Sequence, residues 1–263
     1  MEITDMHVHI YPDHLAQRVI TNRSVLCYEF ASDATLTGTL SKMKEWGIAH
    51  AIAASVATRP QTQDAVNAFA LRAQCKRIRF MGSVHPYADR IRETLLQIKD
   101  SPLAGVKFHA HEQQYLLDEP LAMKAYEECA RLELPILLHA GPDSSYPGAD
   151  NASYERVAHV AGRFAGSKII FAHFGINGHY DLLDERLLGK DVYLDTSMCH
   201  RLADDQVTDI IHAHGAHRVL FGSDCPFANA QAAAQRIQAL PLDQEQKEDI
   251  LHKNAHRLFG VGG

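Results

Sequence analysis

Short apolar runs recur along this chain, and between them lie longer stretches whose apolar residues fall three or four positions apart. These are the patterns of buried strands and of amphipathic helices. The first run, MEITDMHVHI, leads through an irregular connection over 11–34 to a helical stripe of Leu36, Leu40, Met43 and Trp46 that stops at Gly47. AHAIAASVAT reads as a second strand, followed by a helix over 62–75 with Val66, Phe69, Ala70 and Ala73 on one side. RFMGSVHP is followed by a helix over 89–99, LAGVKFHA by one over 119–132, and LPILLHAG by one over 154–164. SKIIFAHFG precedes a shorter helical segment near 180–188, DVYLDTS a helix near 204–213, and HRVLFGSDCP helices around 228–239 and 243–259.

Strand and helix thus alternate eight times with no linker or low-complexity segment, which predicts one (β/α)₈ TIM barrel over residues 1–263. A doubly wound sheet alternates too, and the polar residues decide between them. Strand after strand ends in a ligand-type residue: His7 and His9, His85, Lys107 and His109, His139, His173, Asp195, Asp224. A barrel draws its catalytic groups from the C-terminal ends of several strands. No glycine-rich phosphate loop follows the first strand, as a nucleotide-binding sheet would require.

Composition narrows the partners. The chain is 46% hydrophobic and 22% charged, enough for a large core, and its formal charge of −6 comes with no basic cluster. That argues against nucleic acid or an anionic membrane surface and leaves a small-molecule substrate. No run approaches the roughly 20 apolar residues of a membrane span, and no signal-like segment opens the sequence, so a cytoplasmic protein is expected, possible as a homo-oligomer. The five cysteines form no CxxC pair, which argues against a disulfide framework or a thiolate zinc site. Histidine is the unusual residue, at 17, although His14, His212, His214, His217 and His252 fall in polar stretches and read as solvated.

The first strand carries the sharpest chemistry. Residues two apart on a strand share a face, so His7 and His9 project into one space with Val8 turned away. Two imidazoles so placed can bind one metal ion.

The full set is HxH on strand one, Lys107 on strand four, His139 on strand five, His173 on strand six and Asp224 on strand eight. It resembles the amidohydrolase superfamily of metal-dependent hydrolases. GVKFH, LPILLHAG, FAHFG, FGSDCPF and the terminal NAHRLFG are similar, more narrowly, to the amidohydrolase-related family that also contains metal-dependent decarboxylases. The resemblance spans essentially the whole chain. It implies a divalent ion, zinc first, held by His7, His9, His139 and Asp224, with Asp224 also handling the proton of an attacking water. It implies two versions of the site. In one, Lys107 is carboxylated and bridges two ions, the second also bound by His139 and His173. In the other, a single ion is held and His173 is a free acid or base. The first version goes with hydrolysis of an amide, ester or lactone, and the second leaves decarboxylation open. A barrel that binds metal or ligand without turnover is the third reading.

The remaining candidates serve the substrate or the frame. His109 shares the face of Lys107 and is placed to orient a substrate, whereas His111 falls beyond the strand. His85 precedes Pro86 and is either a substrate contact or a loop anchor. Arg201, just past strand seven, is either a binder of a substrate carboxylate or a surface loop residue. Asp195 and Ser197 are candidates to fix a ligand imidazole's tautomer. Cys225 reads as packing and Trp46 as core. Specificity is expected in the loops 11–34, 110–118, 142–152 and 197–203.

Overall fold

The apolar runs pair in parallel, each with the next in chain order. A computed structural model of the chain describes residues 1–24 and 30–260. The strands are Thr4–Val8, His50–Ala53, Ile78–Phe80 continued by Gly82–Ser83, Val106–Phe108, Ile136–Leu138, Ile169–Phe171, Tyr193–Asp195 and Val219–Leu220. The third changes partner at Met81: its first piece pairs with the strand before it and its second with the strand after. Closure comes from the ends of the chain, where Met6 N–H donates to Phe221 O at 2.9 Å and Asp224 N–H to His7 O at 2.8 Å. This is the (β/α)₈ barrel, with every connection a crossover on the outside.

Most helices lie where the periodicity puts them. Leu36–Trp46 is capped at its start by Thr35, whose hydroxyl accepts from the Gly38 amide, and ends at Gly47 with φ 71°, a left-handed value that glycine adopts without strain. Met43 and Trp46 are buried, as expected of core positions. Two stretches differ. The connection over 11–34 contains a helix, Asp13–Ser24, whose polar composition gives only a weak apolar stripe, and the segment 25–29 of that loop lies outside the described residues. Near 180–188 there is only the 3₁₀ turn Tyr180–Leu182, ended by the extended backbone of Leu183. His214 is buried rather than solvated, its Nε2 lying 2.9 Å from Val192 O. No helix among the described residues is long and apolar enough to cross a membrane.

Two apolar layers hold the barrel. An outer core lies between strands and helices, and a smaller inner one gathers Met6, Ile52, Leu137, Ile170 and Leu220 within the barrel, closed below by Ala255 and Phe259. The first strand's register slips between Asp5 and Val8. The bulge lets two consecutive side chains face inward: Met6 joins the inner core, while His7 lines the cavity above it. Without that slip, the period of two would send one of them outward.

The base of the last strand depends on Asn254 in the terminal NAHRLFG. Its buried Nδ2 donates to Ala216 O at 2.7 Å and Val219 O at 2.6 Å. Asn254→Ala leaves both carbonyls without that donor, and we expect a loss of about 2 kcal/mol in denaturant unfolding. A loss under about 0.5 kcal/mol would show that water or a backbone shift replaces the bonds.

Candidate metal centre

The strand ends bring His7, His9 and Asp224 together, and the hydrogen-bond network assigns their protons. His9 Nδ1 lies 3.1 Å from Ala54 O, so the proton sits there and Nε2 carries the lone pair. His7 Nδ1 lies 2.8 Å from Asp195 Oδ2, with the same consequence. Both Nε2 atoms face Asp224 Oδ1, at 3.5 Å for His7 and 3.0 Å for His9. Three lone pairs thus converge on one point. Burial lowers the pKa of His9 against the hydrogen bond and charge of Asp224, which favours the neutral, ligating imidazole. Burial alone would raise Asp224, but His7, His9 and His173 more than offset it and hold the carboxyl well below the usual range. A donor set of two imidazoles and one carboxylate, with oriented second nitrogens, suits a divalent cation.

Local backbone geometry presents these groups. Asp224 and His173 have φ of 69° and 58°, left-handed values that non-glycine residues adopt at a cost of about 1–3 kcal/mol and that cluster at functional sites. Gly222 lets the last strand approach: a Cβ there would lie 2.9 Å from His7 Cβ and 3.4 Å from Asp195 Cγ.

Asp195 ties the site together from behind. Beyond His7, its Oδ1 accepts the His173 and Ser197 backbone N–H groups, each at 2.9 Å, and the Ser197 hydroxyl. Burial would raise its pKa, but the charge and hydrogen bond of His7, His173 and Ser197 bring it down to about 2. Since the Ser197 hydroxyl donates to Asp195, its oxygen accepts from His173 Nδ1 at 2.7 Å. His173 Nε2 then accepts from His139 Nδ1 at 3.2 Å. Burial brings His173 down to about 4 despite Asp224 and Asp195, so the ring is neutral near pH 7.

The other candidates separate into those that line the same cavity, about 200 Å³ in volume, and one that does not. Lys107 Nζ stands 3.5 Å from His7 Nε2. Burial lowers its pKa to about 8 against Asp224, Asp195 and Asp143, so the amine gives up its proton readily beside a dication. His139 lines the cavity but groups with His109, His111 and Asp143 rather than with His7, His9 and Asp224. Arg201 lines it too, its guanidinium donating to Asn177 Oδ1 at 3.0 Å and Ser144 Oγ at 3.5 Å. His85 lies outside it: its Nδ1 accepts from Tyr87 N–H at 3.2 Å, and its own N–H donates to Gln63 Oε1 at 3.0 Å, which braces the loop. Sequence reasoning passed over Asp143, whose signal was a carboxylate four residues beyond His139 in HAGPD, and set His111 aside as past its strand.

The chain has relatives in both sequence and fold. A family model described as Amidohydrolase matches residues 4–261. A 5-carboxyvanillate decarboxylase from Sphingomonas paucimobilis shares the fold with a TM-score of 0.75 at 16% identity, 99% of each chain being covered. A probable 2-pyrone-4,6-dicarboxylic acid hydrolase from Acinetobacter baumannii, solved with citric acid, has a TM-score of 0.66 at 17% identity over 99% of this chain and 100% of that one. A dihydroxybenzoic acid decarboxylase from a Polaromonas species, holding manganese and the inhibitor 2-nitroresorcinol, has a TM-score of 0.72 at 17% identity over 99% and 97%. No curated protein matches the chain by sequence.

Gly222→Ala tests the close approach behind His7. The added methyl must push His7 or Asp195, and we expect zinc or manganese affinity, read by titration calorimetry, to fall at least about tenfold with the fold retained. Affinity within twofold of wild type would show that His7 is free to yield.

Proposed function

The chain belongs to the amidohydrolase family, and on that premise we propose that this enzyme is a metal-dependent decarboxylase of a small carboxylic acid with a flat, apolar body. His173 carries the reading. It lines the cavity and stacks 5.4 Å from His7, yet its nitrogens are engaged by Ser197 and His139 rather than by Asp224. That arrangement suits a group that moves protons beside a single ion held by His7, His9 and Asp224. The fold relatives that act on 5-carboxyvanillate and dihydroxybenzoic acid support the substrate class, and the manganese of the latter supports a divalent ion. Zinc and manganese both suit the donors.

Replacing carboxylate by hydrogen releases CO₂ and consumes one proton. When bound, the dication would polarise substrate oxygens and balance charge that builds as the carbon–carbon bond changes. The Arg201 guanidinium offers a fork that a carboxylate can accept, and the Tyr11 and Phe227 rings give an apolar wall. His173 Nε2 takes up a proton and hands it to the substrate carbon, with Ser197 and Asp195 holding the ring through Nδ1. Asp195 and Asp224, both anionic, stabilise the imidazolium while it exists. Hydrolysis of an ester or lactone is the second reading, favoured by the Acinetobacter relative and by an accessible proton state for Lys107.

The test is CO₂ release from a panel of hydroxybenzoates and their methoxy analogues, with zinc or manganese supplied. We expect turnover that a chelator stops and added metal restores, and we expect His173→Asn to lower kcat at least about 100-fold while metal stays bound. Metal-dependent opening of lactones with no CO₂ from any acid would replace this reading with the hydrolytic one.

A further inference from the structure

Beside the ion pocket lies a second group of donors: His109 and His111 beyond the fourth strand, His139 from the fifth, and Asp143 four residues on. One ligating atom from each falls within 4.8 Å of the others, and all four residues are buried. His109 and His139 stack with ring centroids 4.0 Å apart and planes 9° from parallel, while His111 meets His139 edge-on at 5.4 Å. Both stacked rings turn Nε2 toward Asp143 Oδ2, at 3.5 and 4.0 Å. The other oxygen of that carboxylate accepts from the Ser145 amide at 2.7 Å, which fixes Oδ2 toward the cluster.

An unpartnered atom points to a ligand. His139 Nε2 is buried without a hydrogen-bond partner; His111 is 2% exposed, and its ring reaches only the Ala149 backbone, with no side-chain hydrogen bond to either nitrogen. The proton assignment sharpens this. Because His139 Nδ1 donates to His173, its Nε2 carries a lone pair, and that lone pair faces a carboxylate oxygen with no donor between them. A cation between that lone pair and the carboxylate would turn the contact into a favourable one.

We propose that His109, His111, His139 and Asp143 form a second divalent-cation site, of zinc type, separate from the one at His7, His9 and Asp224. Three imidazoles and one carboxylate are a zinc donor set, and tetrahedral coordination at 2.0–2.1 Å places ligand atoms about 3.3 Å apart, close to the Asp143 separations found here. Two contacts oppose it and would be given up on metal binding: the Ala149 backbone against the His111 ring, and the Glu112 amide 3.4 Å from His109 Nδ1, which holds the His109 proton on Nε2 until it moves to Nδ1. The site joins the fourth strand's exit to the 142–152 loop and shares His139 with the proton path to His173, so this cation would set both the shape and the charge of one cavity wall. It differs from a lysine-bridged pair, which would recruit Lys107, His139 and His173.

Zinc stoichiometry on the folded chain, after loading with excess zinc and desalting, tests the proposal by elemental analysis. We expect two ions per chain in the wild type, one in His111→Ala, one in Asp143→Asn, and one in Asp224→Asn. The Asp143 variant keeps the test valid if His111→Ala does not fold. One ion in the wild type, lost in Asp224→Asn but kept in His111→Ala and Asp143→Asn, overturns this proposal and leaves the catalytic reading intact. One ion that depends on His111 and Asp143 but not on Asp224 supports the second site and overturns the first. No ion in any form overturns both.

Discussion

One buried carboxylate, Asp195, orders everything around the candidate centre. It receives four donors from three residues: the His7 ring, the His173 amide, and the amide and hydroxyl of Ser197. Those bonds decide where the protons lie on two imidazoles. His7 is left with Nε2 as a lone pair facing Asp224, and His173, through Ser197, with Nε2 facing His139. An uncompensated buried carboxylate would be costly, and the four donors are what make its burial tolerable. The first and sixth strands thereby depend on the seventh, and the strand closure beside Gly222 allows the pieces to approach.

Sequence carried much of this because its two periodicities survive folding. Strand ends repeat around the barrel, so residues placed there by the pattern of two and by chain order converge whatever the loops do, and His7, His9 and Asp224 did so. Asp195 and Ser197 were legible for the same reason, as polar residues closing a strand. Less legible were features set by local departures from regularity. The bulge between Asp5 and Val8 is a slip of register with no composition of its own. Asp143 lies past its strand on a loop, and the helix Asp13–Ser24 has too polar a sequence to announce an apolar stripe. His85 satisfied the strand-end rule and still faces a loop, because the alternation places a side chain near the rim without saying whether a backbone amide will claim it.

The cavity joins two donor sets through the His139–His173 contact. On one side stand His7, His9 and Asp224, with the oriented ring of His173 beside them; on the other stands a denser group of imidazoles around Asp143. Because His139 faces both, any cation on its Nε2 would bias the proton on its Nδ1 and so the readiness of His173 to accept one. Charge on one wall and proton transfer on the other would then be linked through a single ring.

The convergence of His7, His9 and Asp224 on one ion is tested most directly by anomalous diffraction from crystals grown with manganese, collected where that metal scatters strongly. We predict a peak about 2.0–2.2 Å from His7 Nε2, His9 Nε2 and an Asp224 carboxylate oxygen. Manganese bound with any two of those three side chains turned away from it would contradict the assignment.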